Sequence, residues 1–168
     1  MATTAPDRKK ITLALQGGGS HGAFTWGVLE TLLADERLEI EGISGTSAGA
    51  MNATVLAEGL MQRGRQGALD SLERFWSAVS QAGRFAPMIR TPLDIAADRW
   101  NMEVQPGYLL FDMVSRFLSP YQFNPLNFNP LLDILDREVD FDLVRACDQV
   151  QLFISATNVA TGKIRVFR

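Results

Sequence analysis

The sequence is short of the residues from which metal centres and disulfides are built: in 168 residues it has one cysteine, Cys147, and one histidine, His21. A lone cysteine cannot close an internal disulfide, so nothing calls for an oxidising compartment, and Cys147 reads as a buried, inert thiol. No metal-ligand spacing can be drawn from one residue of each kind, and no metal is expected. An excess of positive charge is also missing. The formal net charge is −3, the pI is near 5.2, and the basic cluster Arg8-Lys9-Lys10 sits on a polar tail, residues 1–10. That balance argues against a nucleic-acid partner. "MATTAPDRKK" has no apolar stretch of the kind a signal peptide needs, and "ITLAL" is too short for that role or for a membrane span. The expected location is cytoplasmic, with attachment to a membrane surface left open.

What is present is the makeup of one globular domain over residues 11–168, 46% hydrophobic and 21% charged,. Ile11 to Leu15 is a short β-prone run, followed by three glycines and by "AFTWGVLETLLADE", in which Phe24, Val28 and Leu32 recur at helical spacing. "RLEIEGIS" supplies a second strand, and "GTSAGAMNATVLAEG" turns into a second helix that Gly59 is expected to end. "ALDSLERFWSAVS" reads as an amphipathic helix. Residues 81–130 hold six of the seven prolines among many aromatics, which predicts an insertion of short helical pieces, one over 107–118. Asn129 looks like an N-cap with Pro130 at the first helical position, and the chain closes as strand, turn through Thr161-Gly162-Lys163, and strand. The alternation of strands and helices predicts an α/β fold with a mainly parallel sheet.

Two glycine turns carry the chemistry. Gly45-Thr46-Ser47-Ala48-Gly49 has the G-x-S-x-G pattern of a nucleophile elbow, in which a strained serine projects at a strand-to-helix turn and the flanking glycines let strand and helix approach. Right-handed crossovers place consecutive parallel strands side by side, so the turn around Gly17, Gly18 and Gly19 opens at the same sheet edge as Ser47. An acyl-transfer enzyme needs a nucleophile beside free N–H groups, and the N–H of Ala48 would complete such an oxyanion hole. A dinucleotide-binding domain is the alternative. Gly17, Gly19 and Gly22 also satisfy G-x-G-x-x-G, and Glu39 or Glu41 lies about 20 residues on, where a ribose-binding acid belongs. That reading leaves the second turn unexplained. His21 precedes Ser47 and lies inside the glycine turn, so the Ser…Asp…His order of an α/β-hydrolase cannot be built, and a carboxylate acting directly on the serine is the remaining conventional base.

The combination of "GGGSHGAF" after the first strand, "GTSAG" after the second and no histidine after the serine resembles the patatin-like phospholipase family. The tail "NPLLDILDREVDFDLVRACDQVQLFISATNVATGKIRVF" is similar to bacterial members. The resemblance implies a three-layer α/β/α sandwich and a Ser–Asp dyad without a cofactor. It assigns Ser47, between Gly45 and Gly49, as nucleophile and Gly17, Gly18, Gly19 through Gly22 as the oxyanion motif. The implied substrates are acyl esters of phospholipids or neutral glycerolipids, with peripheral membrane contact. Two departures stand out. Gln16 and His21 replace an aspartate and an arginine frequent in the family, and no aspartate is followed by glycine, although the family sets its dyad aspartate in an Asp-Gly turn. Asp94, Asp112, Asp133, Asp136, Asp140, Asp142 and Asp148 lack that motif. The expectation is therefore an N-terminal portion of a longer catalytic domain, incomplete at its C-terminal end and with little turnover alone. A catalytically incomplete fragment or pseudoenzyme serving as a binding module fits the same observation.

Overall fold

A computed structural model describes residues 8–83 and 129–168. Two units divide the chain, Met1–Ser77 with Leu135–Arg168, and Ala78–Ile134. In the second, Asn129 caps the helix that Pro130 opens, its Oδ1 accepting from the Leu132 N–H at 3.2 Å. Most of the proline- and aromatic-rich stretch, with the helix expected over 107–118, lies outside the described residues.

The first unit is built on a four-stranded sheet in the order β1 (Lys9–Leu15), β2 (Leu38–Thr46), β3 (Gln151–Thr157), β4 (Ile164–Phe167). β1, β2 and β3 are parallel, and β4 returns antiparallel to β3. The α/β class with a mainly parallel sheet is thus as the alternation of elements predicts. β1 starts two residues before its apolar run because the Lys9 N–H bonds to the Arg37 carbonyl at 2.7 Å and Lys10 pairs with Glu41 at 3.0 Å.

Ile40 and Ile43 are both buried although an odd spacing should put them on opposite faces of a strand,. The register explains it: Ile11 pairs with Ile40 but Thr12 with Gly42, so Glu41 is bulged out and the alternation flips,. With Ile11, Leu13 and Leu15 of β1, these residues line the face that the helices cover. Thr12, Ala14, Ser44 and Thr46 lie on the opposite face and are exposed. The handedness of crossovers accounts for this one-sidedness. β1 to β2 and β2 to β3 step in the same direction across the sheet, so right-handed connections carry α1 (Gly22–Ala34) and α2 (Ala48–Gly83) to one face,.

α2 does not end at Gly59, as the glycine signal predicts. It continues to a break at Arg63 and Gly64, where Gly64 takes φ +60, and then resumes. Gly59 serves another purpose. A Cβ there would sit 2.4 Å from the Gly67 carbonyl oxygen, and one on Gly67 would sit 2.1 Å from the Gly59 oxygen. The two halves of α2 touch backbone to backbone just after the reversal. Val55, Leu56, Leu72 and Phe75 fill the core, with Phe75 and Trp76 edge to face at 5.5 Å,. Buried Glu58 accepts from Ser71 at 2.9 Å and from Gln62, and Arg74 links Glu58 to Glu138 at the end of α3 (Pro130–Glu138). A short helix, α4 (Phe141–Arg145), capped by Asp140, leads into β3. The hairpin between β3 and β4 turns as expected, with Gly162 at φ +67 and its N–H on the Asn158 carbonyl at 2.8 Å.

Candidate active site

Leu15 stands opposite Gly45 in the parallel pairing of β1 and β2, so the turns after the two strands begin side by side at one sheet edge. After β2, Ser47 has φ +50 and is the only non-glycine residue with positive φ among the described residues. An L-residue in that region costs of order 1 kcal/mol, so its surroundings must impose it. Those surroundings are visible. Ser47 precedes the first turn of α2 and its carbonyl accepts from the Met51 N–H at 3.1 Å, which fixes its peptide to the helix. Beneath it, a Cβ on Gly45 would lie 2.8 Å from the Ala50 nitrogen, and one on Gly49 would lie 2.2 Å from the Leu15 carbonyl oxygen. Both flanking glycines are required by space, because strand end and helix start are in backbone contact.

The first turn meets Ser47 directly. A Cβ on Gly17 would be 3.0 Å from the Ser47 Cβ, so the glycine is what allows the turn to lie against the serine. Gly19, Ser20 and His21 form one turn of 3-10 helix ahead of α1. The Gly18 carbonyl is held by the His21 backbone N–H at 3.1 Å and lies 3.0 Å from His21 Nδ1. In a planar trans peptide the N–H of Gly19 points the opposite way, away from His21. Among the described residues, the N–H groups of Gly17, Gly18 and Gly19 make no turn or loop bond to a backbone carbonyl. The N–H of Ala48, first in α2, has no partner within its own helix,. These four residues thus stand at one sheet edge, ahead of α1 and at the start of α2.

At its far end the turn is anchored by residues that the motifs do not include. The Gly22 carbonyl accepts from Asn52 Nδ2 at 3.0 Å, and Asn52 Oδ1 accepts from Trp76 Nε1 at 2.8 Å. Gly22 is buried, and a Cβ on it would meet the Trp76 ring at 2.7 Å and the Ala48 Cβ at 2.8 Å. The one signal in the sequence for Asn52 is a lone amide in the apolar helix "AGAMNATVLA". Nothing local marks Trp76 as other than core.

A recess of about 540 Å³ opens at the same edge, lined by Ala14, Gln16, Ser44, Thr46, Ser155 and Thr157 among others. Leu15 and Ile164 line it too, and Ser47, which is exposed, is not part of its lining. Among the described residues, no carboxylate hydrogen-bonds Ser47. Asp140 caps α4 through the Asp142 and Leu143 N–H groups, and Asp142 pairs with Arg145 at 2.6 Å. Asp94 and Asp112 lie outside the described residues. Among the described residues, no group of three or more His, Cys, Asp or Glu could hold a metal ion, and no helix is long and apolar enough to cross a membrane.

A family model for patatin-like phospholipase matches residues 13–164, which take in all of β2 and β3 and both glycine turns. The chain belongs to the patatin-like phospholipase family. No curated protein matches. Among solved structures, it is similar to a chain of the heterodimeric ExoU–SpcU complex from the type III secretion system of Pseudomonas aeruginosa. Identity is 21%, the TM-score is 0.42, and the match covers 97% of this chain and 33% of that one. This patatin-like chain therefore spans about a third of the length of that neighbour.

Proposed function

We propose that the chain carries the nucleophile and the oxyanion-binding turn of a lipid acyl hydrolase, acting on ester bonds of phospholipids or glycerolipids. The observation that carries this reading is Ser47 at φ +50, pressed against Gly17 of a turn in which the N–H groups of Gly17, Gly18 and Gly19 make no turn or loop bond to a backbone carbonyl among the described residues. Ser47 Oγ attacks the acyl carbonyl carbon while its proton passes to a base, the carboxylate that the family resemblance assigns. The carbonyl oxygen takes up negative charge and receives the N–H groups of Gly18, Gly19 and Ala48, with Gly17 setting their distance from the serine. Each such donor is worth about 10²–10³ in rate. The C–O bond to the glycerol backbone then breaks, the leaving alkoxide recovers the proton, and water hydrolyses the acyl-serine by the same path. Such a substrate is presented at a membrane surface, and peripheral contact there goes with the assignment.

The dinucleotide reading explains less of the geometry. Glu41 is ion-paired with Lys10 in the first half of β2, five residues or roughly 17 Å before the turn where a ribose would bind,. Gly22 packs closely on Trp76 and Ala48, as the third glycine of that fingerprint also would, so it is the strained Ser47 turn that the dinucleotide reading leaves unexplained,.

Labelling with a fluorophosphonate probe in the full-length protein tests the proposal. Wild-type protein should label and Ser47→Ala should not; equal labelling of both removes Ser47 from the mechanism. Labelling without turnover of any lipid ester would assign the pseudoenzyme reading instead.

A further inference from the structure

We infer that Asn52 is a positioning residue for the oxyanion turn: it fixes the Gly17–Gly22 segment relative to Ser47 by holding the Gly22 carbonyl, and is itself held in register by Trp76. The inference rests on the reading of Ser47 as nucleophile.

Asn52 is fully buried in an otherwise apolar stretch of α2. A buried amide is costly unless its groups are satisfied, and here both are. Trp76 Nε1 can only donate, so the oxygen of Asn52 must face it, which leaves Nδ2 aimed at the Gly22 carbonyl,. Asn52 and Ser47 stand five residues apart at the start of α2, about 7.5 Å along a helix,. The nucleophile and the anchor of its oxyanion turn therefore move together as one rigid piece.

The turn needs such an anchor because it has little packing of its own. Gly18, Gly19, Ser20 and His21 are exposed, and nothing lies within 4 Å of a Cβ built on Gly19. Its position is set at its two ends. The first end is fixed where Gly49 meets the Leu15 and Gln16 carbonyls. The second is Gly22, and Asn52 supplies its hydrogen bond. Docking of α1 as a whole does not depend on that bond. Leu29 and Leu33 bury the far part of the helix, and Arg65 grips the carbonyls of Leu33 and Asp35 at 2.9 and 2.8 Å. What the Asn52 contact adds is local control of the peptide planes at the site.

The test compares kcat and KM on a soluble acyl ester, per probe-titrated active site, in the full-length protein. Asn52→Leu removes both the acceptor for Trp76 and the donor to Gly22, and Asn52→Asp keeps the acceptor while replacing the amide donor by a carboxyl that can serve the Gly22 carbonyl only when protonated,. Each should lower kcat about tenfold to a hundredfold, within the range of a lost or misplaced oxyanion donor, with KM changed less than about twofold. Trp76→Phe removes the indole N–H that braces Asn52, together with the part of the ring that packs on Gly22, and should cost about three- to tenfold in kcat,. A merely structural role would lower the unfolding temperature and the fraction of titratable sites while leaving kcat per site unchanged, and that result overturns the inference. If the Asn52 variants do not fold, wild-type kcat in Trp76→Phe overturns it. Undiminished labelling of Ser47→Ala removes the nucleophile reading and this inference with it. Loss of labelling in Ser47→Ala together with wild-type kcat per site in the Asn52 variants removes this inference alone.

Discussion

Substituting Gly49 by alanine isolates the contact that sets the distance between the two turns. The new Cβ would lie 2.2 Å from the Leu15 carbonyl oxygen, 2.6 Å from its carbon and 2.9 Å from the Gln16 oxygen. All three are backbone atoms, so no side-chain rotamer relieves the clash. To bring the closest approach to an ordinary contact, the end of β1 and the start of α2 must separate by about 1 Å, and a displacement of that size at a reacting centre costs about 10² in rate. Overpacking should also cost about 1–3 kcal/mol of stability, offset by about 0.5–1 kcal/mol of helix propensity. The assay is the second-order rate of fluorophosphonate labelling at Ser47, read beside the thermal midpoint. Gly27→Ala is the matched control, because Gly27 is an exposed helical position of α1 with nothing within 4 Å of a built Cβ. It should stabilise the protein by about 0.4–1 kcal/mol and leave labelling unchanged. If Gly49→Ala labels within about threefold of wild type and melts at the same temperature, the argument that these turns are set by backbone contact is wrong.

Three other substitutions follow from the packing. Arg65→Lys should destabilise by about 1.5–3 kcal/mol in chemical denaturation, because an ammonium cannot serve the Leu33, Asp35 and Leu38 carbonyls together as the guanidinium fork does,. Ser71→Ala leaves the buried Glu58 carboxyl without the Ser71 donor and should cost about 1–3 kcal/mol, with Ser71→Thr recovering part of it,. Asp35 is held down to about 2 by the Arg37 side chain and then by the Arg37 backbone N–H. A lowered carboxyl stabilises the fold above its ordinary value near 4 and loses that contribution as pH falls through about 2. Thermal midpoints of wild type should therefore fall more steeply between pH 4 and 2 than those of Asp35→Asn, and parallel curves would refute the pairing.

The strand–glycine–helix units were legible because each is written locally. A β-prone run, a glycine cluster and a helical repeat follow one another within about 30 residues, and the handedness rule then aligns the two turns. Gly59 was misleading for a physical reason. A glycine at the end of an apolar repeat signals a helix stop, but the same residue also permits close backbone approach, and its partner Gly67 comes near only after the chain has reversed at Gly64. The bulge at Glu41 was hinted at by the odd spacing of Ile40 and Ile43, yet only the pairing with β1 shows which residue is extra. Asn52 and Trp76 are 24 residues apart and meet through tertiary packing, which no periodicity encodes.

Six glycines make up the two motifs, and space divides them into two kinds. Gly17, Gly22, Gly45 and Gly49 each lie where a Cβ would strike a neighbour at 3.0 Å or less. At these four, the missing side chain records a close approach between segments: the turn against Ser47, α1 against Trp76 and Ala48, and strand end against helix start. Gly18 and Gly19 differ, since a Cβ on Gly18 would make only an ordinary contact with His21 and one on Gly19 would meet nothing within 4 Å. These two stand at the exposed apex with their N–H groups free of turn and loop partners among the described residues. A dinucleotide fingerprint also closes its third glycine by helix–strand packing, so the close fit of Gly22 does not separate the two readings,. What separates them is Ser47, held at φ +50 against Gly17: the proposed acyl-transfer step needs a hydroxyl beside two open amides, whereas a dinucleotide turn leaves this second glycine turn without a task,.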